Sequence, residues 1–230
     1  MKEKIVVIIP AFNEENAVGL VVNAIPKELV DEVVVVNNNS TDKTSLAAEK
    51  EGATVLFEAQ KGYGNACLKG IDYLISHRNE DTDIVVFMDA DFSDYPEQLE
   101  RVIQPILDDR ADMVIGSRAL GNRAKGSMTF PQIFGNWLAT TLIRVIYGEK
   151  FTDLGPFRAI RYQALLELGM KDKTYGWTVE MQLKAIKHKL RSTEVAVDYK
   201  ARIGTSKVSG TVNGAVMAGY KILTTIFKYI

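Results

Sequence analysis

Two aspartates separated by one residue, Asp89 and Asp91, follow an uncharged apolar run at 84–88. In an extended segment, side chains at i and i+2 project to the same side, so the two carboxylates converge just beyond a strand end. Carboxylates held that close repel each other unless a cation sits between them. Hard oxygen ligands of this kind suit magnesium or manganese, ions that can be shared with the phosphates of a substrate. The plainer alternative is a solvated acidic turn capping the helix that Pro96 opens, a role Ser93 or Asp94 can fill alone. An isolated Asp-x-Asp does not choose between the two.

Other polar residues have spacing that suits an anionic ligand. Lys61-Gly62-Tyr63-Gly64 opens a helical stretch. Glycines let backbone approach a ligand, and helix N-terminal N–H groups favour an anion. Asn37-Asn38-Asn39 follows an apolar run, and its carboxamides can both donate and accept. It can equally be a loop cluster that tolerates left-handed backbone. Arg118, Arg123 and Lys125 form one basic loop stretch, and Lys200, Arg202 and Lys207 form another. Solvated surface charge is their ordinary reading. His77 and His188 lie in charged helix-end contexts and read as surface residues, while Cys67 reads as packing inside a helix.

The elements that must position these residues alternate regularly through the first half of the chain. Apolar, β-branched runs at 5–9, 33–36, 54–57, 84–88 and 113–115 are separated by helical patterns. The spacing predicts a helix capped by Asn13, one capped by Thr41 and ended by Gly52, one over 63–76, and one opened by Pro96. Strand–helix alternation of this kind predicts an α/β fold with a mainly parallel sheet covered by helices. Ligands of such sheets sit at the carboxyl ends of the strands, where the polar clusters fall. The second half reads as a polar loop at 118–131, an apolar helix at 132–147, a short strand at 157–160, a helix at 177–188 and an alternating strand at 193–199. A helical tail over 211–230 places Val212, Val216, Gly219, Leu223, Ile226 and Ile230 at helical spacing.

Bulk properties narrow the function classes. The 230 residues suit one domain, with 1–117 as a ligand-binding half and 118–230 as a second half ending in an amphipathic helix. A net charge of −1 argues against a general nucleic-acid binder. The single cysteine excludes an internal disulfide and a multi-cysteine zinc site. The N-terminal apolar run is too short for a signal peptide, and no run of about 18 uncharged apolar residues predicts a membrane span.

Taken in order, Pro10-Ala11-Phe12-Asn13-Glu14, Asn37 to Asp42, Lys61 to Ala66, Asp89-Ala90-Asp91, Gly116-Ser117-Arg118, Asp153-Leu154-Gly155-Pro156-Phe157-Arg158, Trp177-Thr178-Val179-Glu180 and Arg202-x-Gly204-x-Ser206-Lys207 span nearly the whole chain. The series resembles the family-2 glycosyltransferases of the GT-A fold, and within them the dolichyl- and polyprenyl-phosphate mannosyl- and glucosyltransferases. The resemblance implies a nucleotide-sugar pocket lined by Pro10, Ala11 and Glu14, with Asn37 and Asn38 at the base, where the family usually has at least one Asp. It implies that Lys61 and Gly62 lie near the sugar and diphosphate. It implies a divalent metal, magnesium or manganese, held by Asp89 and Asp91, with Ser93 where relatives often have a Gln. Arg202 and Lys207 would clamp the diphosphate with Arg118 nearby. Glu180, or its rival Asp153, would serve as catalytic base, Asp153 more plausibly shaping the acceptor site.

The resemblance further implies an inverting transfer of a hexose, glucose from UDP-glucose, to a polyprenyl or dolichyl phosphate. A phosphate acceptor is already ionised near neutral pH and needs no base. The apolar segments 133–147 and 212–230 would then lie in the membrane interface, making the protein cytoplasmic and peripheral to the inner face of the membrane. The tail can equally pack on the core or form a homodimer. Two other enzyme readings stay open: the same donor with a soluble hydroxyl acceptor, and a sugar-nucleotide-forming nucleotidyltransferase, whose Gly-rich basic loop after the first strand is absent here. A non-catalytic nucleotide-sugar-binding subunit is the third.

Overall fold

The computed structural model describes residues 3–204 and 212–230. The apolar runs form strands β1 (Ile5–Ala11), β2 (Glu32–Asn37), β3 (Thr54–Phe57), β4 (Ile84–Phe87) and β5 (Met113–Ser117). They are followed in the chain by β6 (Arg158–Arg161) and β7 (Ser192–Ala196). The seven strands make one sheet in the order β3-β2-β1-β4-β6-β5-β7. β1, β2, β3 and β4 pair in parallel, as do β5 and β7, whereas β6 runs antiparallel between β4 and β5.

Strand periodicity divides the core in two. Val6, Ile8, Val34, Val36, Val85 and Phe87 point to one face, and Ile5, Val7, Ile9, Val33, Val35, Ile84 and Val86 to the other. The first face is covered by α3 (Tyr63–His77), α5 (Phe130–Tyr147), α6 (Tyr162–Leu168) and α7 (Trp177–Lys187). The second is covered by α1 (Val18–Ala24), α2 (Thr44–Lys50) and α4 (Leu99–Leu107). Burial on both sheet faces explains why β1 is apolar throughout. The tail forms α8 (Val212–Lys228), which packs on α5 and α7.

Several helix boundaries differ from the sequence expectation. Asn13 does not cap α1. It adopts φ 53°, donates its backbone N–H to Ser40 Oγ (3.0 Å), and accepts from the Thr41 amide at Oδ1 (2.8 Å). It thereby ties the loop after β1 to the loop after β2, and α1 begins later, where the Glu14 carbonyl accepts from the Ala17 and Val18 amides. Thr41 does not cap α2 either; the Asp42 carboxylate accepts from the Thr44 amide (3.0 Å). Gly52, at φ +87°, does end that helix region. Ile75, an apolar residue of α3, is exposed. The tail stripe splits: Ile226 is buried, whereas Val216 and Ile230 are exposed. No helix among the described residues is long and apolar enough to cross a membrane.

Candidate active site

The polar residues gather where the sheet order reverses, at the carboxyl ends of β1 and β4, the position at which open α/β sheets leave a crevice. Backbone strain gathers there too. Asn13, Asn39 and Phe92, in the loops after β1, β2 and β4, are non-glycine residues with positive φ.

Asp91 follows β4. Its Oδ1 accepts from the Ser93 amide (3.0 Å) and hydroxyl (2.5 Å), and its Oδ2 pairs with Arg202 Nη1 (3.1 Å). Arg202 Nη2 reaches Glu14 Oε1 at 2.5 Å, so one guanidinium spans the loops after β1 and β4. Backbone bonds fasten the Arg202 segment to the acidic loop: Lys200 N–H donates to the Ser93 carbonyl (2.9 Å), and Ile203 N–H to that of Asp91 (3.0 Å). Burial and the neighbouring Asp91 push the Asp89 carboxyl up to about 7, although Arg118 and Arg202 oppose the shift. A third acid lies beside them. Asp94 is 2% exposed, and neither carboxylate oxygen has a hydrogen-bond partner. Burial, then Asp89 and Asp91, push its carboxyl well up, against the pull of Arg118. The sequence assigned Asp94 only a capping role; its spacing in Asp89-x-Asp91-x-x-Asp94 was the available signal.

This donor set fits a divalent cation. Asp89 and Asp91 repel each other even with Arg118 and Arg202 nearby, a repulsion a cation relieves, and the buried Asp94 carboxylate beside them adds two further hard oxygens. Among the described residues no group of three or more His, Cys, Asp or Glu side chains is arranged to hold a metal by itself. A cation here would complete its shell with substrate phosphate or water, as magnesium commonly does.

A second cluster forms around Asp153, which is 1% exposed. Arg118 grips its carboxylate with a fork, Nε to Oδ2 (2.8 Å) and Nη2 to Oδ1 (2.6 Å), and adds its backbone N–H to Oδ2 (2.8 Å). The turn carrying Asp153 is itself held. Glu194 on β7 accepts from the Thr152 and Asp153 amides, and Gln182 donates to the Asp153 carbonyl (3.0 Å). Arg158, fully buried, donates to the Leu154 and Gly155 carbonyls. Against this cluster opens a cavity of about 350 Å³, whose lining includes Asp153. Arg123, Arg144 and Lys150 supply cationic lining, and Met128, Ile133 and Trp137 supply apolar lining.

The remaining expected residues fall into place around these clusters. Pro10 and Ala11 end β1, with Ala11's carbonyl accepting from the Asn38 amide (2.8 Å). Asn37 and Asn38 are largely taken up by scaffolding. Asn37 donates to Ser45 Oγ (2.6 Å) and accepts from the Ser40 amide (2.8 Å). Asn38 spends its amide donors on the Glu58 and Gln60 carbonyls, and its Oδ1 accepts from the Gly62 amide (2.7 Å). Asn38 thus has only acceptor capacity left for a base edge. Lys61 is exposed, its ammonium 4.8 Å from the centre of the Phe12 ring. Glu180 is separate from both clusters: it lines a different cavity, between α7 and α8, and is bonded there to the 171–172 backbone and to Tyr229. Lys207 lies outside the described residues.

Comparison with known proteins agrees with this geometry. The family model "Glycosyl transferase family 2" matches residues 6–169. An uncharacterised glycosyltransferase of Mycobacterium tuberculosis is 33% identical over 94% of this chain and 94% of its own length. The undecaprenyl-phosphate mannosyltransferase of Micrococcus luteus is 30% identical over 92% of this chain and 90% of its own. Among solved structures, glucosyl-3-phosphoglycerate synthase from Mycobacterium tuberculosis, in complex with Mn2+, UDP and glucosyl-3-phosphoglycerate, superposes with a TM-score of 0.78. It is 20% identical, covering 99% of this chain and 80% of that one, and shows the fold. With the family model covering most of the chain and the GT-A sheet in place, this protein belongs to glycosyl transferase family 2, a glycosyltransferase similar to the polyprenyl-phosphate members of that family.

Proposed function

We propose that the protein transfers a hexose, glucose from UDP-glucose, to a polyprenyl phosphate with inversion at the anomeric carbon. The observation that carries the acceptor class is the cavity beside Asp153, with Arg123, Arg144 and Lys150 for an anion and Met128, Ile133 and Trp137 for a hydrocarbon. Its wall is α5, whose exposed Phe130, Phe134 and Trp137 would rest in a bilayer interface while the phosphate enters the cavity. A mannosyltransferase acting on undecaprenyl phosphate among the relatives supports the same acceptor, and a structural neighbour complexed with UDP and Mn2+ supports the donor and metal.

In this reading Asp89 and Asp91 would hold a divalent metal, which when bound offsets charge developing on the departing diphosphate. Arg202 would give its guanidinium to the diphosphate, with Lys207 in the same segment. Lys61, at the head of the loop that leads into α3, would meet the diphosphate from the other side. Arg118, its orientation fixed by Asp153, would lie near the diphosphate beside Asp89. An acceptor phosphate oxygen attacks the anomeric carbon, the bond from that carbon to the diphosphate oxygen breaks, and UDP leaves. No proton has to be removed from the acceptor. That agrees with the state of the two candidate bases: Asp153 is committed to Arg118, and Glu180 is fully hydrogen-bonded elsewhere. A hydroxyl acceptor would need a free base.

The test is steady-state transfer with Arg123, Arg144 and Lys150 each changed to Gln. Each loss of a charge-assisted contact should raise KM for polyprenyl phosphate by about 10-fold or more while UDP affinity stays put. Unchanged KM in all three variants would remove the cavity from the acceptor site.

A further inference from the structure

Glu180 sits on α7 with 1% exposure, yet its carboxylate meets donors on every side. The Lys171 amide lies 3.1 Å from both oxygens, and the Asp172 amide donates to Oε2 (2.6 Å). The Tyr229 hydroxyl donates to Oε1 (2.5 Å), and Lys184 Nζ pairs with Oε1 (3.1 Å). Burial alone would raise its pKa, but Tyr229, the two amides and Lys184 outweigh it and hold the carboxyl below its usual value. A carboxylate so satisfied is a poor proton acceptor and a good anchor.

What it anchors is the 171–173 turn. Asp172 fastens the same turn to α8 a second time, through Lys221 Nζ (2.8 Å), and turns inward to the Thr174 amide (2.8 Å). On its opposite side the turn packs against the Lys61-Gly62-Tyr63-Gly64 loop. A Cβ at Gly62 would lie 2.2 Å from the Lys173 carbonyl oxygen, and one at Gly64 would lie 2.0 Å from that of Asp172. The Asn65 amide donates to the Lys173 carbonyl (3.0 Å). These two glycines are there because the turn's backbone occupies the space a side chain would need.

We infer that Glu180 is a positioning residue. Together with Tyr229 it fixes the 171–173 turn, and the turn sets the placement of the 61–64 loop against the donor diphosphate. The inference rests on the proposed reading that this loop meets the diphosphate. Glu180 acts through backbone it holds, at a distance from the reacting atoms. Loosening it costs donor affinity and spares the chemical step once donor is saturating.

The experiment measures UDP binding with Mn2+ by calorimetry, and single-turnover transfer to polyprenyl phosphate at saturating donor, for Tyr229→Phe, Glu180→Gln and Lys61→Ala. Tyr229→Phe is the mild variant: it deletes one hydroxyl and leaves the carboxylate in place. We expect Tyr229→Phe and Glu180→Gln each to weaken UDP binding on the order of tenfold, while the saturated rate changes less than about threefold and its pH profile keeps its shape. A loss of about 10²-fold or more in the saturated rate of Glu180→Gln, with UDP affinity intact, would make Glu180 the base and overturn the inference. Unchanged UDP affinity in Tyr229→Phe and Glu180→Gln, beside weakened binding in Lys61→Ala, would overturn it while keeping the donor-loop reading. Unchanged affinity in Lys61→Ala would remove the donor-loop reading and the inference with it.

Discussion

Replacing Asp153 with Asn strands a buried cation. Arg118's side chain is 12% exposed and Asp153's is 1% exposed, and three N–H groups of Arg118 converge on that one carboxylate. Asn keeps the shape and one acceptor oxygen but removes the counter-charge. Breaking a buried pair from one side costs about 3–5 kcal/mol, because the remaining charge is left in a poorly solvated site. For a chain of this size about 2–4 °C of Tm goes with each kcal/mol, so the midpoint should fall by roughly 6–20 °C. Arg118→Met on the Asp153→Asn background removes the stranded cation, so the double variant should be more stable than the sum of the single changes by about 1–3 kcal/mol. The assay is urea unfolding of wild type, both single variants and the double, with m held constant across the set. Additivity within about 0.5 kcal/mol would refute the view that Asp153 exists to balance and aim Arg118.

Asp91→Asn should leave the fold intact and reduce transfer to near background, since it removes charge a divalent ion needs; full activity in metal-limited buffer would contradict this. Arg202→Ala should weaken UDP binding by about 10–150-fold, the equivalent of about 1.5–3 kcal/mol for a hydrogen bond to a charged group; calorimetry with unchanged affinity would contradict it. The Glu180 network should also appear in acid unfolding. Its folded pKa is depressed, so its stabilisation is present above the unfolded carboxyl value of about 4.3 and is lost as pH falls through the folded value. The stability gap between wild type and Tyr229→Phe should therefore be widest near pH 7 and narrow toward pH 3; a gap that does not change with pH would count against it.

The strands and the acidic pair could be read from the sequence because their signals are local. The runs that became β1 and β4 are apolar over consecutive residues, and Asp89 and Asp91 sit on one side of the chain at the strand end. What escaped is non-local. Nothing within Arg158-Ala159-Ile160-Arg161 tells a strand to run antiparallel between β4 and β5; pairing with strands distant in the chain decides it. The Arg118–Asp153 fork joins residues 35 apart, and the Arg202–Glu14 contact joins residues 188 apart. Glu180 carries the same lesson. The family resemblance offered it as a base, and only the folded chain brings Tyr229 and the 171–172 amides to it. Asn37 and Asn38 stand where the family resemblance implies residues that read the base. The loops they hold in place consume most of that capacity.

The acceptor class is the central claim, and product analysis tests it directly. Purified protein is given UDP-glucose labelled in the sugar, Mn2+, and two acceptors in matched amounts: a polyprenyl phosphate in mixed micelles and a soluble sugar alcohol. We expect label in an organic-extractable, phosphate-linked product, with release of UDP in equal amount and no label in the alcohol. Label in the alcohol alone, with the polyprenyl phosphate recovered unchanged, would contradict it.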